Sequence, residues 1–148
     1  MPEEETLERA EEDKREGKAA STQAGEFVRE EIEHIREGKH GARSTKQAIA
    51  IGLSKARRAG VKLPAPKKGK ASKKTRKQAA RDIRKGKSAA KGKKSTRRSR
   101  ATLGALKREG RSAATKKALS RQARSAAAKR SKASRSRSAK KAAQTRKK

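Results

Sequence analysis

The chain has 148 residues, of which 47 are Lys or Arg and 15 are Asp or Glu, so its formal net charge is +32. It contains no Cys, one aromatic residue, Phe27, and only 14 side chains of the Ile, Leu, Val and Phe types. This composition excludes a disulfide framework, a membrane span and a large apolar core, and it is typical of disordered or marginally folded proteins.

The charge divides the sequence into three predicted domains. Residues 1–20 form an acidic segment whose Glu–Arg spacing favours a helix. Residues 21–64 form a helical hairpin, and residues 65–148 form a basic tail in which 34 Lys or Arg face only two acids. One hypothesis for the acidic segment is that it folds back on the tail and competes with phosphate.

Two apolar stripes predict the hairpin, because residues three and four apart share one face of a helix. The first stripe lies between Ser21 and Glu37 and consists of Ala24, Phe27, Val28, Ile32 and Ile35. The second lies between Thr45, the predicted cap, and Ala59, with Gly60 as the stop; it consists of Ala48, Ile49, Gly52, Leu53, Ala56 and Ala59. Two helices joined by a short turn would cover each other along these stripes.

A short phrase with the pattern Arg-Glu/Lys-Gly-Lys/Arg punctuates the chain. It begins at Arg15, Arg36, Arg84 and Arg108, and a Ser or Thr follows each copy, namely Ser21, Ser44, Ser95 and Thr115. Gly readily adopts the left-handed conformation that ends a helix, and Ser or Thr caps the next helix. The phrase therefore predicts helix boundaries, although chance recurrence in a biased composition is the alternative explanation.

The tail begins with the extended linker Pro64-Ala65-Pro66. Residues 74–85, 96–109 and 112–132 favour helix by composition, but their like charges repel one another, so we expect them to be unfolded until an anion neutralises them. The predicted fold class is therefore mainly α with extensive disorder: a small helical hairpin followed by a long, basic, Ala-rich tail that becomes helical on binding.

The sequence offers little for catalysis, since too few apolar residues are available to enclose a dry pocket. His34 and His40 lie beside Glu33 and Glu37, a grouping that suggests a metal site. Two His without Cys or a rigid frame are more often solvated side chains. We therefore predict a non-enzymatic protein with no cofactor and no metal.

The excess of cations instead predicts a polyanionic partner. A single aromatic residue provides no stacking platform for unpaired bases, which favours phosphate contacts with a duplex. The residues predicted to bind DNA are Lys39, Arg43, Lys46, Lys55, Arg57, Arg58, Lys62, Lys67, Lys68, Lys73, Lys74, Arg76, Arg97, Arg98, Arg100, Lys116, Lys117, Arg121, Arg124, Lys129 and Arg130.

Two resemblances extend this interpretation. Blocks such as Pro64–Lys68 and Ser125–Arg130 make residues 65–148 resemble bacterial histone H1-like proteins, whose Lys/Ala-rich arms coat DNA. The run Lys46–Arg57 makes residues 27–64 resemble a small, uncharacterised bacterial domain family. The first resemblance implies DNA condensation, and the second implies no known activity.

We therefore expect a cytoplasmic, nucleoid-associated protein that binds double-stranded DNA with little sequence preference and compacts it. RNA or ribosome binding is the first alternative, and the segment Ser134–Ser138 is similar to the Ser-Arg segments of RNA-associated proteins. The second alternative is an adaptor whose hairpin docks a protein partner or a second copy through Ile51, Val61 and Leu63.

Overall fold

A computed structural model describes residues 1–88 and 94–147, and 72% of it is helical. Within those two ranges the helices are α1 (Glu4–Arg15), α2 (Ala20–Glu37), α3 (Thr45–Arg58), α4 (Lys73–Lys87), α5 (Thr96–Lys107), α6 (Lys116–Ala128) and α7 (Lys132–Arg146), with a 3₁₀ turn at Ser112–Ala114. The prediction of extensive disorder is therefore wrong, and so is the prediction that a hairpin is the folded unit. The helix pair α2–α3 exists within a larger helical assembly.

Helix α2 is the centre of this assembly, and α1 and α3 both pack on it. Phe27 and Ile35, from its apolar stripe, are fully buried. The helix backbones of α2 and α3 approach closely at Gly52, where an added Cβ would lie 2.6 Å from the Cα of Val28. A small residue is needed at this position because the backbone of α2 occupies the space of a side chain.

Two apolar clusters cover the two sides of α2. One contains Phe27 with Ala10, Ala24 and Ala56, and Leu53, Val61 and Leu63 pack against it. The other contains Ile32, Ile35, Ala42, Ala48, Ala113 and Ala114, with Val28 and Leu119 packed against it. The second cluster includes residues of the basic tail, so the tail completes the core.

The tail folds because its few buried residues are small or hydrogen-bonded. The backbone N–H of Gly41 donates to the carbonyl of Leu106 at 2.9 Å, and that of Ala42 donates to Gly110 at 3.1 Å. The Thr45 hydroxyl donates to the Ala113 carbonyl at 2.6 Å. Like-charge repulsion was expected to prevent folding, but the Lys and Arg side chains point outward while alanines and backbone groups make the contacts.

Helix α4 is attached to α3 through one buried acid, Asp82. Its carboxylate accepts hydrogen bonds from the Ser54 hydroxyl at 2.7 Å, the Arg58 Nε at 2.7 Å and the Gln78 amide at 3.1 Å. Gly86 allows the far end of α4 to approach α3, since an added Cβ would lie 2.0 Å from the Arg57 carbonyl oxygen.

The repeated phrase predicts some of these boundaries. Gly38 ends α2 with φ +79°, and the side chains of Ser44, Ser95 and Thr115 accept the capping hydrogen bonds of α3, α5 and α6. The cap of α3 is thus Ser44 and not Thr45. Gly86 lies inside α4, so the helix end predicted there is wrong; residues 89 and 90 of that copy lie outside the described residues.

Candidate nucleic-acid interface

The two halves of the chain use their cations differently. Between residues 1 and 64, six of the 13 Lys and Arg side chains form ion pairs, as with Arg9 and Glu26 or Arg29 and Glu33. Beyond Pro64, the one ion pair among the described residues is that of Arg58 with Asp82. Asp82 is buried and Glu109 is half-buried. The Lys and Arg side chains of α4–α7 therefore face solvent without a carboxylate partner in the described structure.

Most of the predicted DNA-binding residues belong to this unpaired set. Those that are exposed and form no ion pair are Arg43, Lys46, Lys62, Lys67, Lys68, Lys73, Lys74, Arg97, Arg98, Arg100, Lys116, Lys117, Arg121, Arg124 and Lys129, and Arg76 is half-buried. They are spread over α3 to α6 and the connecting loops, and α7 buries no residue at all. The candidate interface is therefore a distributed basic surface and not a single groove.

The remaining predicted residues are engaged within the protein. Lys39 pairs with Glu3 and Glu37, Lys55 with Glu30 and Glu31, and Arg58 with Asp82. Arg57 is buried and donates to the Pro64 carbonyl, and burial lowers its pKa. Arg130 donates to Ser134 and Ser138 on α7. Lys55 and Arg57 are therefore held inside the fold, whereas Lys39, Arg58 and Arg130 are exposed but already have partners within the protein.

One local concentration of cations lies in a shallow groove at the start of α6. Arg36, Arg111 and Lys116 line it, together with Ala114 and Thr115. Arg36 is held there because its Nε donates to the Ala114 carbonyl at 3.0 Å. Three cations beside the positive end of a helix make the groove a favourable position for a phosphate group of a larger polyanion.

Two of these groove residues, Arg36 and Arg111, are absent from the sequence-predicted set. They are 75 positions apart, so no local pattern joins them. A signal was nevertheless present, because both belong to copies of the repeated phrase, and these copies lie against each other through the backbone bonds of Gly41 and Ala42.

Beneath α3 lies a polar cluster that the sequence analysis did not predict. Glu30 and Glu31 are both buried, and Lys55 Nζ lies 2.8 Å and 2.7 Å from one oxygen of each. Burial alone would raise the pKa of Glu30, but its hydrogen bonds from the Lys55 ammonium and the Glu3 backbone N–H lower it below its usual value. Glu3 is exposed, and hydrogen bonds from His34 and Lys39 lower its pKa to about 2.

The histidines belong to the same cluster. His40 is 9% exposed and its Nε2 lies 2.7 Å from Glu31 Oε1, so the expectation of a solvated turn residue is wrong. One donor atom each from Glu31, His34 and His40 lies within 4.8 Å of the other two. This is the cluster of described residues whose donor types suit a metal ion.

Comparisons with known proteins address part of the chain. A family of unknown function (DUF6496) matches residues 11–68, which extend from α1 to the linker before α4. This confirms the resemblance of the middle segment to an uncharacterised family, whereas no comparison supports the histone H1-like resemblance of the tail. Searches of curated proteins and of solved structures gave no significant match. Within the described ranges, no helix has the length and apolar character needed to cross a bilayer.

Proposed function

We propose that the protein binds double-stranded DNA through phosphate contacts, with little sequence preference and without catalysing a reaction. The observation that supports this proposal is the set of unpaired cations on α4–α7, where the described structure offers no exposed carboxylate partner. Such a surface attracts a polyanion. Binding releases the counterions condensed on the polyanion, so the affinity is highest at low salt concentration.

The position of Phe27 favours a duplex over a single strand. Proteins that bind unpaired bases stack them on exposed aromatic rings. Phe27 is fully buried between α2 and α3, so it provides no such surface. Phosphate contacts do not require unpaired bases, so duplex DNA offers them fully. Many Lys and Arg side chains on rigid helices would neutralise the phosphates of a long DNA and so compact the DNA, as histone-like, nucleoid-associated proteins do.

The adaptor hypothesis loses its motivation in this fold. It depended on exposure of Val61 and Leu63, but both pack against the Phe27 cluster. Ile51 is half-buried. We therefore do not place a partner-binding apolar surface on the α2–α3 pair.

We predict a steep dependence of DNA affinity on salt. If about ten phosphates are contacted, the slope of log K against log salt concentration will be near −9. The measurement is a fluorescence-anisotropy titration of the full chain with random-sequence duplex DNA at salt concentrations from about 50 mM to about 300 mM. Competition at equal salt with structured RNA tests the alternative, because equal or greater preference for RNA would overturn the assignment to DNA.

We also predict a specific contribution from the groove at the start of α6. Replacing Arg111 and Lys116 by Gln removes about two phosphate contacts, so the slope will become less negative by about 2 and affinity at 0.1 M salt will fall about tenfold for each contact, equally for all sequences. Arg29→Gln is the matched control, since Arg29 is equally cationic but is paired with Glu33. Because the control removes one positive charge and the double variant removes two, a loss in log K half as large in the control would show that net charge alone determines affinity and that the groove has no special part.

A further inference from the structure

We propose that Glu31, His34 and His40 form a binding site for a divalent transition-metal ion of the Zn²⁺ type, with Glu3 placed to supply a fourth ligand. Glu31 and His34 are three positions apart on α2, so they share one face, and His40 approaches from the loop between α2 and α3. The three donor atoms lie within 4.8 Å of one another, a separation that small side-chain rotations reduce to that of a tetrahedral site.

The hydrogen bonds of His40 leave one ring nitrogen for a cation. Nδ1 lies 3.0 Å from the Gly41 carbonyl oxygen, which accepts only a hydrogen bond, so Nδ1 carries a proton. Nε2 lies 2.7 Å from the buried carboxylate of Glu31. A neutral imidazole would direct its Nε2 lone pair at that carboxylate, which is repulsive. A metal ion between Nε2 and the Glu31 carboxylate would replace this repulsion with two ligand bonds.

The surroundings of the site resemble the second layer of known metal centres. A backbone carbonyl that accepts from the remote nitrogen fixes the tautomer and orientation of a metal-binding His, and the Gly41 carbonyl has this position. Glu31 is 1% exposed, and its second oxygen lies 2.7 Å from Lys55 Nζ. The carboxylate is therefore held in place, with one oxygen directed at the histidines.

The proposed site lies within a network of carboxylates and ammonium groups. Four carboxylates, those of Glu3, Glu30, Glu31 and Glu37, are linked in this region to the ammonium groups of Lys39 and Lys55. The amino-terminal ammonium lies near Glu30 and Glu31 and is a third positive group. The Lys94 ammonium also acts on the amino terminus, so the charges of this network are close to balance and the donor geometry is what supports a metal ion.

The donor set selects the class of metal. Two imidazoles with carboxylate oxygens suit Zn²⁺, Co²⁺ or Ni²⁺, whereas Mg²⁺ and Ca²⁺ take oxygen ligands. Glu3 completes the set, because its Oε1 lies 2.9 Å from His34 Nε2, and among the described residues the other partner of this carboxylate is Lys39, at the same oxygen. A metal at this position would join the segment before α1, helix α2 and the α2–α3 loop.

The test uses the full, tag-free chain and the metals alone. Titration with Co²⁺ is expected to give a 1:1 endpoint and the visible absorption of tetrahedral cobalt, and Zn²⁺ is expected to displace the cobalt. Saturating Zn²⁺ is expected to raise the Tm by about 5 °C or more, and a chelator is expected to reverse this shift.

Two variants and a control connect this binding to the proposed residues. His34→Gln and His40→Gln are each expected to lower the affinity for Zn²⁺ at least tenfold, with the fold of each variant verified by circular dichroism. Glu33→Gln is the matched control, because Glu33 lies on the same helix and pairs only with Arg29 among the described residues. The absence of stoichiometric binding overturns the proposal. Binding of equal strength in all variants also overturns it.

Discussion

Replacing Lys55 by Met is expected to lower the free energy of unfolding by about 3–5 kcal/mol at neutral pH. Lys55 is the cation that contacts both Glu30 and Glu31, and both carboxylates are buried. A methionine fills the space of the aliphatic stem but leaves two buried charges without their ammonium partner. The measurement is the urea midpoint of the variant against the parent chain, followed by circular dichroism.

The pH dependence of this loss provides the sharper test. In the parent chain the pKa of Glu30 lies below its ordinary value of 4.5, so its contribution to stability is present above pH 4.5 and is lost as the pH falls through the lowered pKa. Without Lys55, burial prevails and raises that pKa above 4.5, so the folded variant takes up protons more readily than the unfolded chain. The variant is therefore expected to gain stability between pH 7 and pH 5, and the difference from the parent to shrink.

The matched control for this prediction is Lys46→Met. Lys46 lies on the same helix, is exposed and forms no ion pair, so its replacement is expected to change stability by less than about 0.5 kcal/mol. If Lys55→Met does not fold at pH 7, recovery of its helical signal at pH 5 is the decisive observation. An equal loss of stability at both pH values would contradict the assignment of the effect to the buried carboxylates.

Replacing Asp82 by Ala is expected to cost about 2–3 kcal/mol and to release α4 from α3. Ser54, Arg58 and Gln78 all donate to this carboxylate, which is 1% exposed. Arg58 is about half exposed and regains water when Asp82 is removed, which keeps the cost below that of a fully buried pair. The repulsion between Arg58 and the cations of α4 then acts without compensation.

Hydrogen exchange locates this effect. Amides of α4 are expected to lose protection in the Asp82→Ala variant, whereas those of α2 retain it, because the Phe27 cluster does not include α4. Arg81→Ala is the control, since its side chain is exposed beside Asp82. Uniform loss of protection over the whole chain would show that α4 is not an independently released unit.

The sequence predicts the α2–α3 pair well because the signal for it is local. The stripe from Ala24 to Ile35 and the small residue at Gly52 specify which faces meet. The folding of the tail was not predicted, because an argument from large aliphatic side chains assigns no weight to Ala113 and Ala114, which are buried in the Ile32 cluster. Their contribution depends on the partners that surround them, which spacing along the chain does not reveal.

The sequence predicts which segment of the chain carries the candidate interface, but not which of its cations are free to bind. Counting Lys and Arg identifies the basic tail, but it does not separate Lys55, which stabilises buried carboxylates, from Lys46, which faces solvent. The same limit applies to Asp82. The residues next to Asp82 in sequence do not indicate its role, because its hydrogen-bond donors Ser54 and Arg58 lie on another helix.

The apolar cluster that joins Ile32 to Ala113 also has a consequence for folding during synthesis, because its members are far apart in sequence. The acidic segment and α2 leave the ribosome before the tail, and the side of α2 that carries Ile32 and Ile35 is covered only by Ala42 and Ala48 until about 80 more residues have been added. Contacts of such long separation close slowly, so the nascent chain exposes Ile32 and Ile35 in the interval. Attraction between the acidic first domain and the arriving basic segment would shorten that interval, and the acidic residues would then serve the speed of folding as well as the stability of the product.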